Sequence, residues 1–194
     1  VLVIGAGISG TTAALSLANQ GFKVYLVEKR DKIGGMLSEI YQLYPTGAHA
    51  GESLKMISEK VTNHKGISVL TSSSIKDIFG YIGNFNVTVT KEGKEIKFKV
   101  GTIILATGAE EFKPQGMFGY GQLDKVITQL EFERTILENT GTLESLKPKR
   151  VVMIQCVGSR QEKGRAYCSR ICCMVAVKNS LLIKDLYPDM DVYI

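Results

Sequence analysis

Residues 1–28 read VLVIGAGISGTTAALSLANQGFKVYLVE, and this stretch decides the fold. Four apolar residues run straight into Gly5-Ala6-Gly7-Ile8-Ser9-Gly10. Helical spacing follows at Thr12, Leu15, Ser16 and Asn19, and Gly21 closes it. A second apolar run, residues 24–27, ends in an acid, Glu28, 18 residues beyond Gly10. Strand, glycine turn, helix, strand and acid in that order make a βαβ unit for a dinucleotide. Gly5 permits the tight turn, Gly7 leaves room for a pyrophosphate, and Gly10 lets the helix lie close on the sheet. The helix start at Ile8, Ser9 and Gly10 offers unpaired N–H groups and the positive end of the helix dipole. Glu28 can accept hydrogen bonds from ribose hydroxyls and disfavours a 2′-phosphate. A glycine-rich turn without a ligand is the plain alternative.

The 194 residues suffice for one large or two small domains, and 44% apolar with 22% charged residues is ordinary globular composition. No apolar run approaches the ~20 residues of a transmembrane helix. The chain opens inside a core strand, so no signal peptide and a cytoplasmic location are expected. Without an initiator Met, and with residues 191–194 reading as a strand just beginning, the chain is expected to be a piece of a longer one. The net charge of +5 is spread among acids, as in Lys91-Glu92-Gly93-Lys94-Glu95, which argues for a solvated surface and against nucleic-acid binding.

A glycine pair, Gly34-Gly35, follows the acid by about six residues and leads into Met36. On these residues the chain resembles the FAD domain of the two-dinucleotide-binding flavoproteins, the thioredoxin-reductase-like group. The resemblance implies FAD, with Glu28 and neighbouring Lys29 at the adenosine ribose and Gly34, Gly35 and Met36 near the ribose and phosphates. Residues 40–50 are irregular, and residues 51–64 have helical spacing. His49 and His64 read as loop or surface residues, His49 being the better functional outsider.

Residues 67–70 form a short strand, and alternation at Phe85/Val87/Val89 and Ile96/Phe98/Val100 marks a hairpin with one buried face. Superfamily members carry a β-meander here, and the backbone at the Ile75 position meets adenine in them. Residues 102–109, TIILATGA, form a buried strand ending in small residues. Its Ala106-Thr107-Gly108 resembles the superfamily's ATG motif, at the strand that closes over FAD. Residues 112–121 read as a crossover, Thr128 with Glu131 as a capping box, Gly141 as a helix C-cap and residues 143–149 as a linker.

Cysteine is absent from the first 155 residues; then Cys156, Cys168, Cys172 and Cys173 fall within 18 positions. Residues 149–160 restart a strand, but the turn reads QCVGSR, so an ordinary pyridine-nucleotide site is not expected there. If residues 168–173 open a helix, Cys168 and Cys172 share a face and Cys156 faces the same helix N-terminus. Four thiolates suit an iron–sulfur cluster or zinc, and Arg160, Arg165 and Arg170 would offset the charge. Thiol–disulfide chemistry and inert buried thiols are the alternatives.

The run VVMIQCVGSR…YCSRICCM resembles the FAD-carrying subunit of heterodisulfide reductase. The resemblance implies a [4Fe–4S] cluster on Cys156, Cys168, Cys172 and Cys173, beside FAD. One departure is informative. Related proteins carry cysteines and an inserted ferredoxin after the glycine pair, whereas residues 36–51 here hold no cysteine.

The expectation is an α/β protein: a Rossmann-like parallel sheet with a β-meander (residues 1–112, FAD), a crossover helix and linker (113–148), and the start of a second βαβ domain (149–194). The expected function is electron transfer between flavin and cluster, with no side chain acting as a catalytic nucleophile. Other redox subunits are the expected partners, and a homo-oligomer is compatible. Two rivals stand beside it: a pyridine-nucleotide:disulfide oxidoreductase using Cys172 or Cys173, and a non-catalytic FAD scaffold.

Overall fold

The computed structural model describes residues 1–138 and 149–194. The expected C-cap at Gly141 and most of the expected linker lie outside the described residues. Two compact units emerge, one from Val1–Ser38 with Ala50–Ala109, the other from Glu39–His49 with Glu110–Ile194.

The first unit is built on a four-stranded parallel sheet. Its strands are β1 (Leu2–Ile4), β2 (Val24–Val27), β3 (Ile67–Leu70) and β7 (Ile103–Leu105), in the order β3-β2-β1-β7. Helix α1 (Ile8–Asn19) crosses from β1 to β2, and α2 (Ala50–Thr62) from β2 to β3. Strand alternation explains the two faces. Val3, Val24 and Leu26 turn toward the helices and pack with Ala14, Ala18 and Val61. Leu2 and Val27 turn the other way and pack with Val87, Val89 and Val100 of a three-stranded antiparallel meander.

That meander consists of β4 (Ser73–Tyr81), β5 (Asn84–Lys91) and β6 (Lys94–Val100). The β5–β6 turn uses Glu92 and Gly93, both at positive φ (49° and 77°), which matches the twist of the flanking strands. A bulge between Ile75 and Asp77 shifts the β4–β5 register. Tyr25 stacks on Phe98 with ring centroids 4.0 Å apart. His64, expected as a loop or surface residue, accepts from the Gly66 N–H at its Nδ1, 3.0 Å away.

In the second unit, β8 (Arg150–Val152) and β9 (Asp191–Tyr193) pair in parallel, with α4 (Cys172–Leu186) as the crossover. Helix α3 (Gln129–Leu137) packs with it through Phe132, Met153, Ala176, Leu182 and Ile183. The expected capping box is present: Thr128 Oγ1 accepts from Glu131 N at 3.2 Å and Glu131 Oε2 accepts from Thr128 N at 2.8 Å.

Residues 39–49 belong to this second unit because of a buried ion pair. Lys178 Nζ donates to Glu133 Oε1 at 2.5 Å and to the Gln42 carbonyl at 2.9 Å, while Glu133 Oε2 accepts from Tyr41 N at 3.0 Å. Burying two charges is tolerable only when each is paired and hydrogen-bonded, and the backbone of residues 41 and 42 completes both. His49, expected as a loop residue, is exposed and sits edge-on to Tyr41.

Candidate cofactor site and cysteine loop

The glycine turn is shaped by contacts that leave no room for side chains. Gly5 has φ +100°, and a Cβ on it would meet the Ala106 carbonyl oxygen at 2.3 Å. A Cβ on Gly10 would lie 1.8 Å from the Gly5 oxygen and 3.2 Å from Ala106 Cβ. Thus β1, α1 and the small residues after β7 close on one another, with Ala106 N donating to the Ile4 carbonyl at 2.8 Å. Thr107 and Gly108 follow on the exposed side. Gly108 takes φ +72°, and a Cβ there would have nothing within 4 Å.

Helix α1 starts at Gly7 with no side-chain cap and no acid in its first turn. Its first N–H groups, at Ile8, Ser9 and Gly10, precede the first helical bond, from Thr11 N to the Gly7 carbonyl at 2.9 Å. The glycine pair comes to the same place. Gly34 N donates to the Ala6 carbonyl at 2.8 Å, and a Cβ on Gly35 would stand 2.9 Å from Gly7 Cα. Two glycine backbones therefore face each other at an uncapped helix N-terminus. Met36 is exposed in the short 3-10 turn Gly35–Ser38 that follows.

Glu28 is 6% exposed, and its carboxylate already has two partners. Oε2 accepts from Ala6 N at 2.7 Å and Oε1 from Arg30 N at 2.9 Å. An ionised carboxylate has about four acceptor positions, so capacity for hydroxyl donors remains. Lys29, beside it, is exposed. The Glu28 carbonyl also accepts from Ser73 N at 2.9 Å, which anchors the start of β4 and thereby Ile75. Sequence reasoning missed Glu28's pinning of the turn, and it missed Thr11. Thr11 is buried, and its hydroxyl donates to the Gly7 carbonyl at 2.8 Å; a polar residue one after Gly10 was the available signal.

The cysteines lie elsewhere, at the start of the second βαβ unit. The expectation that residues 168–173 form the first helical turns is corrected. Helix α4 begins at Cys172, and Arg170 at φ +61° interrupts any helix between Cys168 and Cys172. Cys156 itself has φ +58° in the turn after β8. The segment between Cys156 and Cys168 folds back on itself, with Arg160 N donating to the Tyr167 carbonyl at 3.2 Å and Gln161 N to the Arg165 carbonyl at 3.1 Å.

Cys172 is the focus of this loop. Burial pushes its thiol up, but the Cys156 N–H, the Ser169 hydroxyl and Cys173 outweigh that and hold it below its ordinary value. Cys173 is pushed up, chiefly by the neighbouring Cys172 charge and the hydrogen bond to it, with Cys156 and Cys168 adding. Arg170 N donates to Cys168 Sγ at 3.3 Å. The thiols share one electrostatic neighbourhood. Among the described residues, however, no three His, Cys, Asp or Glu side chains are arranged to hold a metal ion.

A parallel sheet whose first turn opens onto a glycine cradle and an uncapped helix falls in the dinucleotide-binding class of α/β folds. The chain belongs to the pyridine nucleotide-disulphide oxidoreductase family, whose profile matches residues 1–154. It is homologous to proteins named as iron-sulfur subunits of heterodisulfide reductases. A CoB–CoM heterodisulfide reductase iron-sulfur subunit of Methanopyrus kandleri is 36% identical over 284 aligned residues, covering 100% of this chain and 42% of that protein. A subunit of the H(2)/formate:CoB-CoM heterodisulfide,ferredoxin reductase of Methanococcus maripaludis is 36% identical over 281, with 100% and 42% covered. The chain thus spans about two fifths of these relatives' length. The crystal structure of Lactococcus lactis thioredoxin reductase is 25% identical, with a TM-score of 0.49 over 62% of this chain and 39% of that one. No helix among the described residues is long and apolar enough to cross a membrane.

Proposed function

We propose that this chain is the FAD-binding part of an electron-transferring oxidoreductase subunit of heterodisulfide-reductase type. One observation carries the reading: Gly7 and Gly35 face each other, backbone to backbone, at the uncapped start of α1. A Cβ on Gly7 would meet only Gly35 Cα, at 3.9 Å, so open space lies beside Gly7 at the helix start, and it fits a pyrophosphate. When bound, FAD supplies two-electron chemistry that no side chain provides. The N–H groups of Ile8, Ser9 and Gly10 would hold the phosphates. Glu28 would take ribose hydroxyls on its remaining acceptor positions while keeping the turn closed, with Lys29 and Met36 beside the same path. Ala106, Thr107 and Gly108 would let backbone approach the ligand, and the strand around Ile75 would meet the adenine.

The reading extends to a [4Fe–4S] cluster on Cys156, Cys168, Cys172 and Cys173. Its support is the all-thiol donor set in a segment that also carries Arg160, Arg165 and Arg170, and the naming of the Methanopyrus relative as an iron-sulfur subunit. Function then divides as residues 1–112 for flavin and 149–194 for the cysteines, with residues 113–148 between them. Other redox subunits are the fitting partners, since the relatives are named as subunits. The Methanopyrus alignment spans 284 positions against 194 residues here, so about 90 positions have no counterpart, as a missing inserted domain would require.

A second reading is favoured by the depressed Cys172 thiol. It makes Cys172 the nucleophile of a disulfide oxidoreductase. One experiment separates the two. The protein is purified without oxygen, and flavin, iron and acid-labile sulfide are quantified. Flavin with about four irons per chain, the content of one such cluster, supports the first reading. Flavin with a titratable thiol pair and no iron supports the second. A Cys172→Ser variant that keeps full iron would sink the ligand assignment.

A further inference from the structure

The loop between Cys156 and Cys168 is keyed into place by two residues that carry no sulfur. The Phe112 ring lies against Gly158, two residues past Cys156. A Cβ on Gly158 would stand 2.2 Å from Phe112 Cδ1 and 2.3 Å from Cε1. Gly158 has φ +74° and is buried, so no side chain fits either the space or the backbone. The Arg165 guanidinium sits 5.0 Å from the centroid of the same ring, within cation–π range. Arg165 is three residues before Cys168, and its carbonyl accepts from Gln161 N. One aromatic ring therefore touches both limbs of the loop whose ends are Cys156 and Cys168.

We infer that Phe112, with Gly158 and Arg165, clamps this loop and sets the positions of Cys156 and Cys168 relative to the start of α4. The three are positioning residues; none meets a reacting atom. The inference concerns the same four cysteines that the proposed function treats as redox ligands, and rests on that reading for its purpose, not for its geometry. With the ring in place the loop limbs are held; without it they open, and the thiols lose their shared neighbourhood.

The test uses the full chain, purified without oxygen. Alkylation of each cysteine by iodoacetamide is followed by mass spectrometry, with iron uptake measured in parallel. Phe112→Ala is expected to raise the labelling rate of Cys156 by on the order of tenfold, the opening that ~1.4 kcal/mol corresponds to. Phe112→Tyr keeps the ring and is expected to restore the wild-type pattern. Gly158→Ala is expected to disturb labelling strongly alone, and less in the Phe112→Ala background, because the ring that its methyl strikes is gone. Wild-type labelling in Phe112→Ala, or a Phe112→Tyr variant as altered as Phe112→Ala, would overturn the clamp. Wild-type protein that takes up no iron overturns the cluster reading alone, since the labelling comparison needs no metal.

Discussion

At the scale of single residues, the cofactor turn is decided by what cannot fit. Gly5 and Gly10 are read directly from the sequence because part of their reason is local, a positive φ at Gly5 and the Gly5 oxygen against Gly10, while the closure of Ala106 on both comes from about 100 residues away. Glu28 was legible only in part. Its place after β2 marks it as a ribose acceptor, yet in the fold its carboxylate also pins Ala6, 22 residues away. Glu28→Gln replaces one acceptor oxygen with an NH2 that faces an N–H donor. Hydrogen bonds to a charged group contribute about 1.5–3 kcal/mol, and stranding one donor costs a similar amount. The variant is expected to lose about 2 kcal/mol in urea unfolding of the flavin-free protein. It should also retain less flavin after gel filtration. An unchanged unfolding midpoint would show that the carboxylate does not hold the turn.

Single elements follow the sequence closely where caps are encoded. Helix α3 starts at its Thr128–Glu131 box, and Glu131 gathers more than the cap. It also accepts from Lys113 Nζ and the Tyr120 hydroxyl, both at 2.7 Å. Burial pushes the Glu131 carboxyl up, but Lys113, the Thr128 N–H and Tyr120 bring it down to about 2 from an ordinary 4.5. A depressed carboxyl stabilises the fold above its unfolded value and loses that contribution as the pH falls through its folded value. Stability should therefore fall between about pH 4.5 and pH 2. With solvent screening at this half-open site the loss is ~1 kcal/mol. Glu131→Gln should flatten that part of a chemical-denaturation profile; an unchanged slope would assign the acid sensitivity elsewhere. Helix α4 was less legible. Apolar spacing runs smoothly through residues 168–187, while a left-handed Arg170, invisible to periodicity, ends the preceding loop and starts the helix at Cys172.

At the scale of the whole molecule, the chain divides into two units, each with its own core. Two units with separate cores should unfold in two steps. FAD bound in the glycine cradle should raise only the step that belongs to the first unit, by about 2.7 kcal/mol at a hundredfold excess over its Kd. Scanning calorimetry with and without FAD reads this directly, and an equal shift of both steps would place the flavin elsewhere. The sequence by itself determined the parallel βαβ sheet, the meander, the glycine turn and the second strand–helix–strand unit. Each of these is written in side-chain periodicity and glycine sterics over a dozen residues or so. Tertiary structure alone decided that residues 39–49 leave their neighbours to join Lys178 and Glu133, that Glu28 closes the turn at Ala6, and that Phe112 seats on Gly158 beside the cysteines. Those pairings join residues 22 to 136 positions apart. They depend on which surfaces meet once the elements have packed, and no local pattern carries that information.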